Sequence, residues 1–283
     1  MPAQPNRRPT VPRDQAHGLR QRFAGGEMQF VPLVHNPHVP GAGAVMERLC
    51  AGFAEHHLRT LVVDAADTAS PPHQLATVDL AACIERLSPS VAYLAARGLP
   101  MHYLDSRATL TGFLEALRTV AAGQADVVLL HAGALDLRRM FIGRTPRPVL
   151  LAGPRPDSLT HAYTSMKLLS QRLGALAYDL VVAGDVSPRR ARRMAERLDD
   201  CADHFLGAAL RDMAVVDPLA SPNAALPADL CTLVAGLVAP PRAAANANAT
   251  ANAIATANGL TEPMPQPSPR ASTPRLAPAG RMN

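Results

Sequence analysis

Short apolar runs alternate with segments of helical pattern between residues 28 and 239, and this alternation limits the fold more than any other feature. The predicted strands are residues 28–34, 59–64, 101–104, 126–130, 147–152, 178–183 and 213–216. The predicted helices are residues 45–56, 74–87, 89–97, 109–122, 157–173, 188–204 and 227–238. Strands such as residues 127–130 are apolar on both faces, which suits a parallel sheet covered by helices on both sides. We therefore expect an α/β fold with a doubly wound, mostly parallel sheet that binds ligands at the carboxyl ends of its strands.

The flanking segments differ in composition from this body. Residues 1–12 are rich in Pro and Arg, residues 240–283 are rich in Ala, Asn, Pro and Ser, and both segments are expected to be disordered. Residues 13–25 are predicted to form a short helix, followed by an α/β domain over residues 26–239. Residues 1–25 and 240–283 carry net charges of +4 and +3 out of a total of +5, so the body is close to neutral. The basic isoelectric point therefore does not indicate a specific nucleic-acid partner.

Cysteine usage and hydropathy indicate where such a chain acts. Four cysteines without C-x-x-C spacing favour neither a disulfide framework nor a zinc site, and they fit a reducing compartment. The polar, Arg-rich first residues lack the apolar core of a signal peptide, and no apolar run is long enough to span a bilayer. We therefore expect a cytoplasmic protein without a membrane span.

The chain contains one lysine, Lys167, which lies inside a predicted helix. The segment that is predicted to form a strand, a Gly-containing loop and a helix start, residues 30–45, contains no lysine. A phosphate-binding loop of the usual kind needs a lysine that reaches the β- and γ-phosphates and a Ser or Thr hydroxyl for Mg²⁺. The sequence thus predicts the outline of a nucleotide-binding fold without the residues that perform hydrolysis.

This segment, followed by a strand that ends at Asp64, resembles the MinD/ParA branch of deviant P-loop ATPases, whose loop has the pattern KGGxGKT. Position by position, the signature lysine of that family falls on Pro37 and its phosphate-binding lysine falls on Ala42. The Mg²⁺-binding Thr falls on Gly43, and the structural glycine is kept as Gly41. The resemblance implies a P-loop NTPase-like fold with a vestigial nucleotide loop.

The acidic residues of that family are only partly matched. Asp64 corresponds to the first acidic residue after the second strand, whereas His131 occupies the position of the aspartate linked to magnesium. Pro40 removes a further amide from the phosphate cradle. We therefore expect a catalytically degenerate ATPase domain that needs no cofactor, with ATP and Mg²⁺ as the minor alternative. The dimerisation around ATP that active relatives show would be lost with the phosphate contacts.

The N-terminal helix narrows the resemblance. Residues 14–20 have the sequence DQAHGLR and match the DQAxxLR element of the FlhG family (also called FleN or YlxH), MinD-like regulators of flagellar number and placement. Residues 154–170 resemble the P-x-P-x-S-[LI]-T-x-A-Y…K-L-L segment of the same family. The resemblance implies that this helix binds a signal-recognition-type GTPase, FlhF, and stimulates its GTP hydrolysis. The residues that would make this contact are Asp14, Gln15, Ala16, Leu19 and Arg20.

Further partners and alternatives follow from the same segments. The resemblance implies contacts with flagellar basal-body components and recruitment to the flagellated cell pole. Taken by themselves, Leu19 and Phe23 could instead pack on the surface of the chain's own domain. Two other functions stay open, a working ATPase with a variant loop that regulates cell polarity or cellulose synthesis, and a DNA-associated partition protein.

Several polar clusters are expected to be structural. His35, His38, His56, His57 and His131 have no Cys or carboxylate at ligand spacing, which favours ordinary polar loop residues over a metal site. Asp157 or Ser158 is expected to cap the helix that follows, because no nucleophile elbow surrounds Ser158, Thr160 and His161. Four carboxylates follow the arginines at 189, 190, 192 and 193, which favours an ion-paired, solvated helix face. Pro32 removes a donor from a central strand, so irregular pairing is expected there.

Overall fold

An eight-stranded sheet forms the centre of the part of the chain that the computed structural model describes, residues 28–221 and 223–239. Its strands are β1 (Gln29–Val34), β2 (Thr60–Asp64), β3 (Glu85–Arg86), β4 (Val91–Ala95), β5 (Val127–Ala132), β6 (Val149–Ala152), β7 (Ala177–Ala183) and β8 (Ala209–Val216). Their order across the sheet is β3-β4-β2-β5-β1-β6-β7-β8. Neighbouring strands are parallel except β3 and β4, which are antiparallel. The predicted disordered segments and the predicted helix over residues 13–25 lie outside the described residues.

Helices cover both faces of the sheet. They are α1 (Ala42–Glu55), α2 (Thr111–Ala121), α3 (Ala134–Met140), α4 (Pro156–Leu173), α5 (Pro188–Leu206) and α6 (Ala228–Val238). α1 and α6 pack on one face, and α2, α3, α4 and α5 pack on the other. The predicted fold class, a doubly wound and mostly parallel α/β sheet, is confirmed.

β5 shows why the centre of the sheet forms from this sequence. All six of its residues are buried, and successive side chains point to opposite faces. Val127 and Leu129 join the core beneath α1 and α6, whereas Val128 and Leu130 join the core beneath the other four helices. Residues 127–130 carry no polar side chain, and they bury apolar groups on both faces of the sheet as predicted.

The predictions between residues 74 and 104 are wrong. Instead of helices over 74–87 and 89–97 and a strand over 101–104, this region contains β3, β4 and three short 3₁₀ helices, at Gln74–Thr77, Ala81–Cys83 and Leu99–Tyr103. The hydroxyl oxygen of Ser88 accepts hydrogen bonds from the amides of Ser90 and Val91, at 3.2 and 3.0 Å, and turns the chain between β3 and β4. β4 then pairs along the whole of β2, and this tertiary pairing outweighs the helical propensity of its alanines. α3 was not predicted.

Pro32 is accommodated inside a central strand. The amides of Gln29 and His35 donate towards β5, and amides alternate sides along a strand, so the nitrogen of Pro32 faces β6. β6 pairs with β1 only at Leu33 and Val34, beyond the missing donor, while the pairing of β1 with β5 is continuous. The expected irregularity is therefore confined to a short β1–β6 ladder.

None of the helices within the two described ranges is both long enough and apolar enough to cross a membrane.

Candidate functional site

The carboxyl ends of β1, β2 and β5 bring three polar side chains together. The parallel register places Asp64 beside His131, and His35 directly follows β1. Asp64 Oδ1 lies 2.8 Å from His131 Nδ1, and His131 Nε2 lies 3.2 Å from His35 Nδ1. These contacts form one continuous chain, Asp64–His131–His35, which we call the histidine chain.

One proton arrangement satisfies every contact of the histidine chain. His131 Nδ1 donates to the Asp64 carboxylate, which leaves Nε2 of a neutral ring as an acceptor for His35 Nδ1. Burial, followed by the neighbouring His131, lowers the pKa of His35 below its ordinary value. The lowered pKa favours a neutral His35 ring near pH 7, and the Asp64 carboxylate is hydrogen-bonded by the protein itself.

The prediction of ordinary polar loop histidines is wrong for His131, and His35 lies in a loop but is buried. His35 and His131 are only 7% and 1% exposed, and His131 lies within β5 rather than in a loop. Among residues 28–221 and 223–239, no group of His, Cys, Asp and Glu side chains is arranged to hold a metal ion. His131 therefore lies directly beside the Asp64 carboxylate at this edge of the sheet.

Asn36 fixes the loop between β1 and α1, and its side chain is only 1% exposed. Its Nδ2 donates to the carbonyl oxygens of Leu151 and Ser158, at 2.8 and 2.9 Å. Its Oδ1 accepts a hydrogen bond from the amide of His38 at 3.1 Å, and its carbonyl oxygen accepts one from Val39 at 3.0 Å. One asparagine thus ties the loop to β6 and α4.

Ser158 belongs to the same network, and the prediction that it caps α4 is wrong. The N-cap position is Arg155, which makes no side-chain capping bond, and Asp157 lies in the first turn. The hydroxyl of Ser158 is buried and accepts hydrogen bonds from the amide of Gly153 at 2.7 Å and from Asn36 Nδ2 at 3.2 Å. Ser158 therefore closes the turn between β6 and α4.

The loop between β1 and α1, which the resemblance predicts to be a vestigial nucleotide loop, lies at this edge of the sheet. Pro37 is exposed, and Ala42 and Gly43 form the first residues of α1. Gly41 precedes α1 with a φ of +86°, a conformation that favours glycine. A Cβ atom at Gly41 would lie 2.9 Å from Pro218, so the segment after β8 packs directly against the loop.

Arg48 holds the segment between β8 and α6 close to this loop. It lies on α1, and its two terminal nitrogens each donate at 2.8 Å, one to the carbonyl oxygen of Ala224 and the other to that of Ala225. Lys167 is exposed on α4, eleven residues beyond Pro156, which corresponds to about 16 Å along the helix axis. The sole lysine of the chain therefore lies well along α4 and not in the loop.

Two further histidines flank the loop. The rings of His38 and His161 are 5.9 Å apart, and His161 also makes a hydrogen bond to the backbone of His35. Burial lowers the pKa of His161, and His38 lowers it further. The lowered pKa makes the His161 ring a poor source of positive charge for a phosphate near neutral pH.

The prediction of an ion-paired, solvated face on α5 is correct for solvent exposure, since the arginines at 189, 190, 192 and 193 are exposed, but wrong for ion pairing. Arg190 Nη2 donates to the carbonyl oxygen of Pro154 at 2.9 Å. In the part of the chain that the structure describes, no carboxylate lies within 4.0 Å of the guanidinium of Arg189, Arg192 or Arg193. Asp199, on the same helix, instead accepts a hydrogen bond from the amide of Leu210 at 2.7 Å.

The sequence predicts that Asp64, His131 and the loop glycines Gly41 and Gly43 lie at one edge of the sheet, and the structure places them there. It missed Asn36, Pro218 and Arg48. Their contacts join positions that are far apart in the chain, so the local sequence pattern does not predict them.

Comparison with known proteins identifies the fold and goes no further. No family model and no curated protein matches the sequence. A plasmid partition protein from Borrelia burgdorferi matches with a TM-score of 0.50 and 9% identity, over 75% of this chain and 96% of that one. The MinD cell division protein from Aquifex aeolicus (TM-score 0.47, 12% identity) matches over 67% of this chain and 83% of its own. A ParA family ATPase from Chlorobium tepidum has the same TM-score of 0.47 and 12% identity, over 73% and 97%. The first match shows a shared α/β fold.

Proposed function

We propose that this chain acts by binding other proteins, on a fold of the MinD/ParA type that no longer hydrolyses nucleotide. The observation that carries the proposal is the loop between β1 and α1. Pro37 and Pro40 have no amide hydrogen, and the amides of His38 and Val39 both donate to Asn36. No amide of residues 37–40 is therefore left to bind a phosphate, which a nucleotide loop does mainly through its amides.

The charges at the same edge also oppose nucleotide hydrolysis. The loop carries no lysine, and the Asp64 carboxylate faces His131 instead of an open metal position. Phosphoryl transfer depends on cations that neutralise the phosphates and on a carboxylate that holds Mg²⁺. We infer that no cofactor is needed and that the cycle of ATP-driven dimerisation is lost.

The flagellar role rests on the resemblance of residues 14–20 to the DQAxxLR element of the FlhG family. In this proposal the helix of residues 13–25 stimulates an FlhF-type GTPase, and the α/β body binds further flagellar components. Leu19 would supply an apolar anchor, and Asp14 and Arg20 would supply polar contacts at the two ends. The protein would act in the cytoplasm and be recruited to the flagellated pole.

The test is the GTP hydrolysis rate of the cognate FlhF-type GTPase in the presence of the full chain. We expect stimulation by the native chain and none by an Asp14→Ala/Leu19→Ala double variant. A Gln21→Ala/Arg22→Ala double variant in the same segment, outside the matched element, serves as the control and should stimulate normally. Equal rates with the native chain and the Asp14/Leu19 variant would contradict the activator role.

The second candidate is a MinD/ParA-like ATPase with a variant loop, a regulator of cell polarity or cellulose synthesis. One observation favours it, because Gly41 keeps its left-handed conformation and α1 still begins directly after it. Calorimetry with ATP in the presence and absence of Mg²⁺ separates the two candidates. Tight binding that requires Mg²⁺ and is lost in a Gly43→Glu variant would favour the ATPase.

A further inference from the structure

A groove of about 630 Å³ lies between α4 and α5, beside the first turns of both helices. This volume falls within the range of small-molecule sites, roughly 300–1,000 Å³. Twelve residues line the groove, all from these helices and from the turn that precedes α4. A protein partner ordinarily occupies more, roughly 20–30 residues on each side. The dimensions therefore favour a small molecule.

The walls of the groove combine apolar side chains with guanidinium groups. Leu159, Tyr163, Met194 and Leu198 form an apolar surface that continues into the core of the domain. Four arginines also line it: Arg155, Arg190, Arg193 and Arg197. No aspartate or glutamate is among the lining residues.

Two of these arginines are free to bind an anion. Arg155 lies 3.4 Å from Asp157, and Arg190 donates to the carbonyl oxygen of Pro154. Within residues 28–221 and 223–239, Arg193 and Arg197 have no carboxylate within 4.0 Å. The positive charge is thus left for a ligand.

Guanidinium groups bind phosphate through paired hydrogen bonds, and an aromatic ring beside aliphatic side chains suits a planar ring. We propose that this groove binds a small phosphorylated molecule with a planar ring, of the nucleotide class, without Mg²⁺ and without the β1–α1 loop. Arg193 and Arg197 bind the phosphates, and the surface around Tyr163 and Leu159 contacts the ring.

The test is calorimetry on the full chain in EDTA, with ATP, GTP and inorganic tripolyphosphate as probes. We expect saturable binding of at least one nucleotide, with an affinity at least about tenfold higher than that of tripolyphosphate, because only the nucleotide contacts the apolar wall. An Arg193→Gln/Arg197→Gln double variant should weaken nucleotide binding at least about tenfold.

Two variants serve as controls. Arg189→Gln/Arg192→Gln removes the same charge from the same helix but lies outside the groove lining, and it should change the affinity less than about twofold. Gly43→Glu places a carboxylate in the first turn of α1, next to the β1–α1 loop, where a Cβ meets no atom within 4 Å, and it should leave the affinity unchanged. Equal losses in the two arginine pairs, loss of binding in Gly43→Glu, equal affinity for tripolyphosphate, or no saturable nucleotide binding at millimolar concentration would each overturn the proposal.

Discussion

At the scale of single residues, Asn36 holds the loop between β1 and α1 in place. Its side-chain amide joins β6 and α4 to the loop, while its two oxygens take up the amides of His38 and Val39. A buried asparagine with satisfied donors and acceptors rigidifies its surroundings, because any rearrangement would leave polar groups unpaired. The residue that closes this loop therefore also occupies the amides of His38 and Val39.

Replacing Asn36 with alanine should lower the free energy of unfolding by about 2–4 kcal/mol, because the buried carbonyls of Leu151 and Ser158 lose a donor. His38→Ala in the same loop removes an exposed side chain and should change the free energy of unfolding by less than about 0.5 kcal/mol. Urea denaturation of the two variants measures both values. Similar values for the two variants would show that the loop does not depend on the Asn36 network.

Asp179 on β7 is a buried acid outside the candidate site. Burial, which outweighs the contact with Arg147, raises its pKa to about 6, and its residue exposure is 0%. Arg147 Nη2 also lies 2.6 Å from Asp212 Oδ2, so one guanidinium serves two carboxylates. Within the described residues, Asp179 Oδ2 has no hydrogen-bond partner.

This raised pKa predicts a pH dependence of stability. Between an unfolded pKa near 3.8 and a folded pKa of about 6, the unfolded state binds fewer protons, so the free energy of unfolding falls as the pH rises. At about 1.4 kcal/mol per pKa unit, the loss should be on the order of 2–3 kcal/mol. Asp179→Asn removes the titration, so its stability relative to the native chain should increase between pH 4 and pH 7. Urea denaturation across this range tests the prediction, and a difference that is independent of pH would contradict it.

At the scale of elements, the sequence predicts best where burial on both faces determines the structure. Residues 127–130 have one favourable conformation because an apolar run of that length is satisfied only inside a covered sheet. Residues 91–95 contain helix-forming alanines, and only their pairing with β2 makes them a strand. That pairing joins segments about thirty residues apart in sequence, so a local sequence pattern cannot predict it.

In the candidate site too, local sequence predicts some features, and others depend on contacts between distant segments. Asp64 and His131 could be placed because each lies at the end of a predicted strand, and parallel strands end at one edge. The loss of the loop amides could be anticipated only at Pro37 and Pro40, where proline has no N–H. The use of the two remaining amides by Asn36 depends on a loop conformation that β6 and α4 impose.

Gly52 and Val234 control the packing of α1 against α6. A Cβ atom at Gly52 would lie 2.8 Å from Val234 Cγ2, and both residues are buried. Gly52→Ala should lower the free energy of unfolding by about 1–2 kcal/mol, because overpacking exceeds the gain in helix propensity. Gly43→Ala, in the same helix with no atom within 4 Å of its Cβ, should be neutral or stabilise by up to about 1 kcal/mol.

A double-mutant cycle shows whether this steric contact is the cause. Val234→Ala creates space for the added methyl group, so the double variant should be more stable than the sum of the single effects by at least about 1 kcal/mol. Additive effects would mean that Gly52 is required for another reason.

At the scale of the whole molecule, the described residues complete their own core. Clusters of buried apolar side chains occupy both faces of the sheet, one under α1 and α6 and the other under the remaining four helices. The two interpretations of Leu19 and Phe23, docking on a partner GTPase or packing on the chain's own domain, then make different predictions for stability.

Deletion of residues 1–27 distinguishes these interpretations. If Leu19 and Phe23 pack on the domain, each contributes about 1.5–3 kcal/mol, and the deletion should cost several kcal/mol. If the helix serves a partner, the free energy of unfolding should change by less than about 1 kcal/mol while stimulation of the GTPase is lost. We expect the second result, measured by urea denaturation and by GTP hydrolysis on the same preparations.

A Leu19→Ala/Phe23→Ala variant of the full chain should behave like the deletion in both assays, because it removes the apolar anchor while the rest of the segment is present. A large loss of stability in both proteins would place the helix on its own domain and remove the main support for the partner proposal.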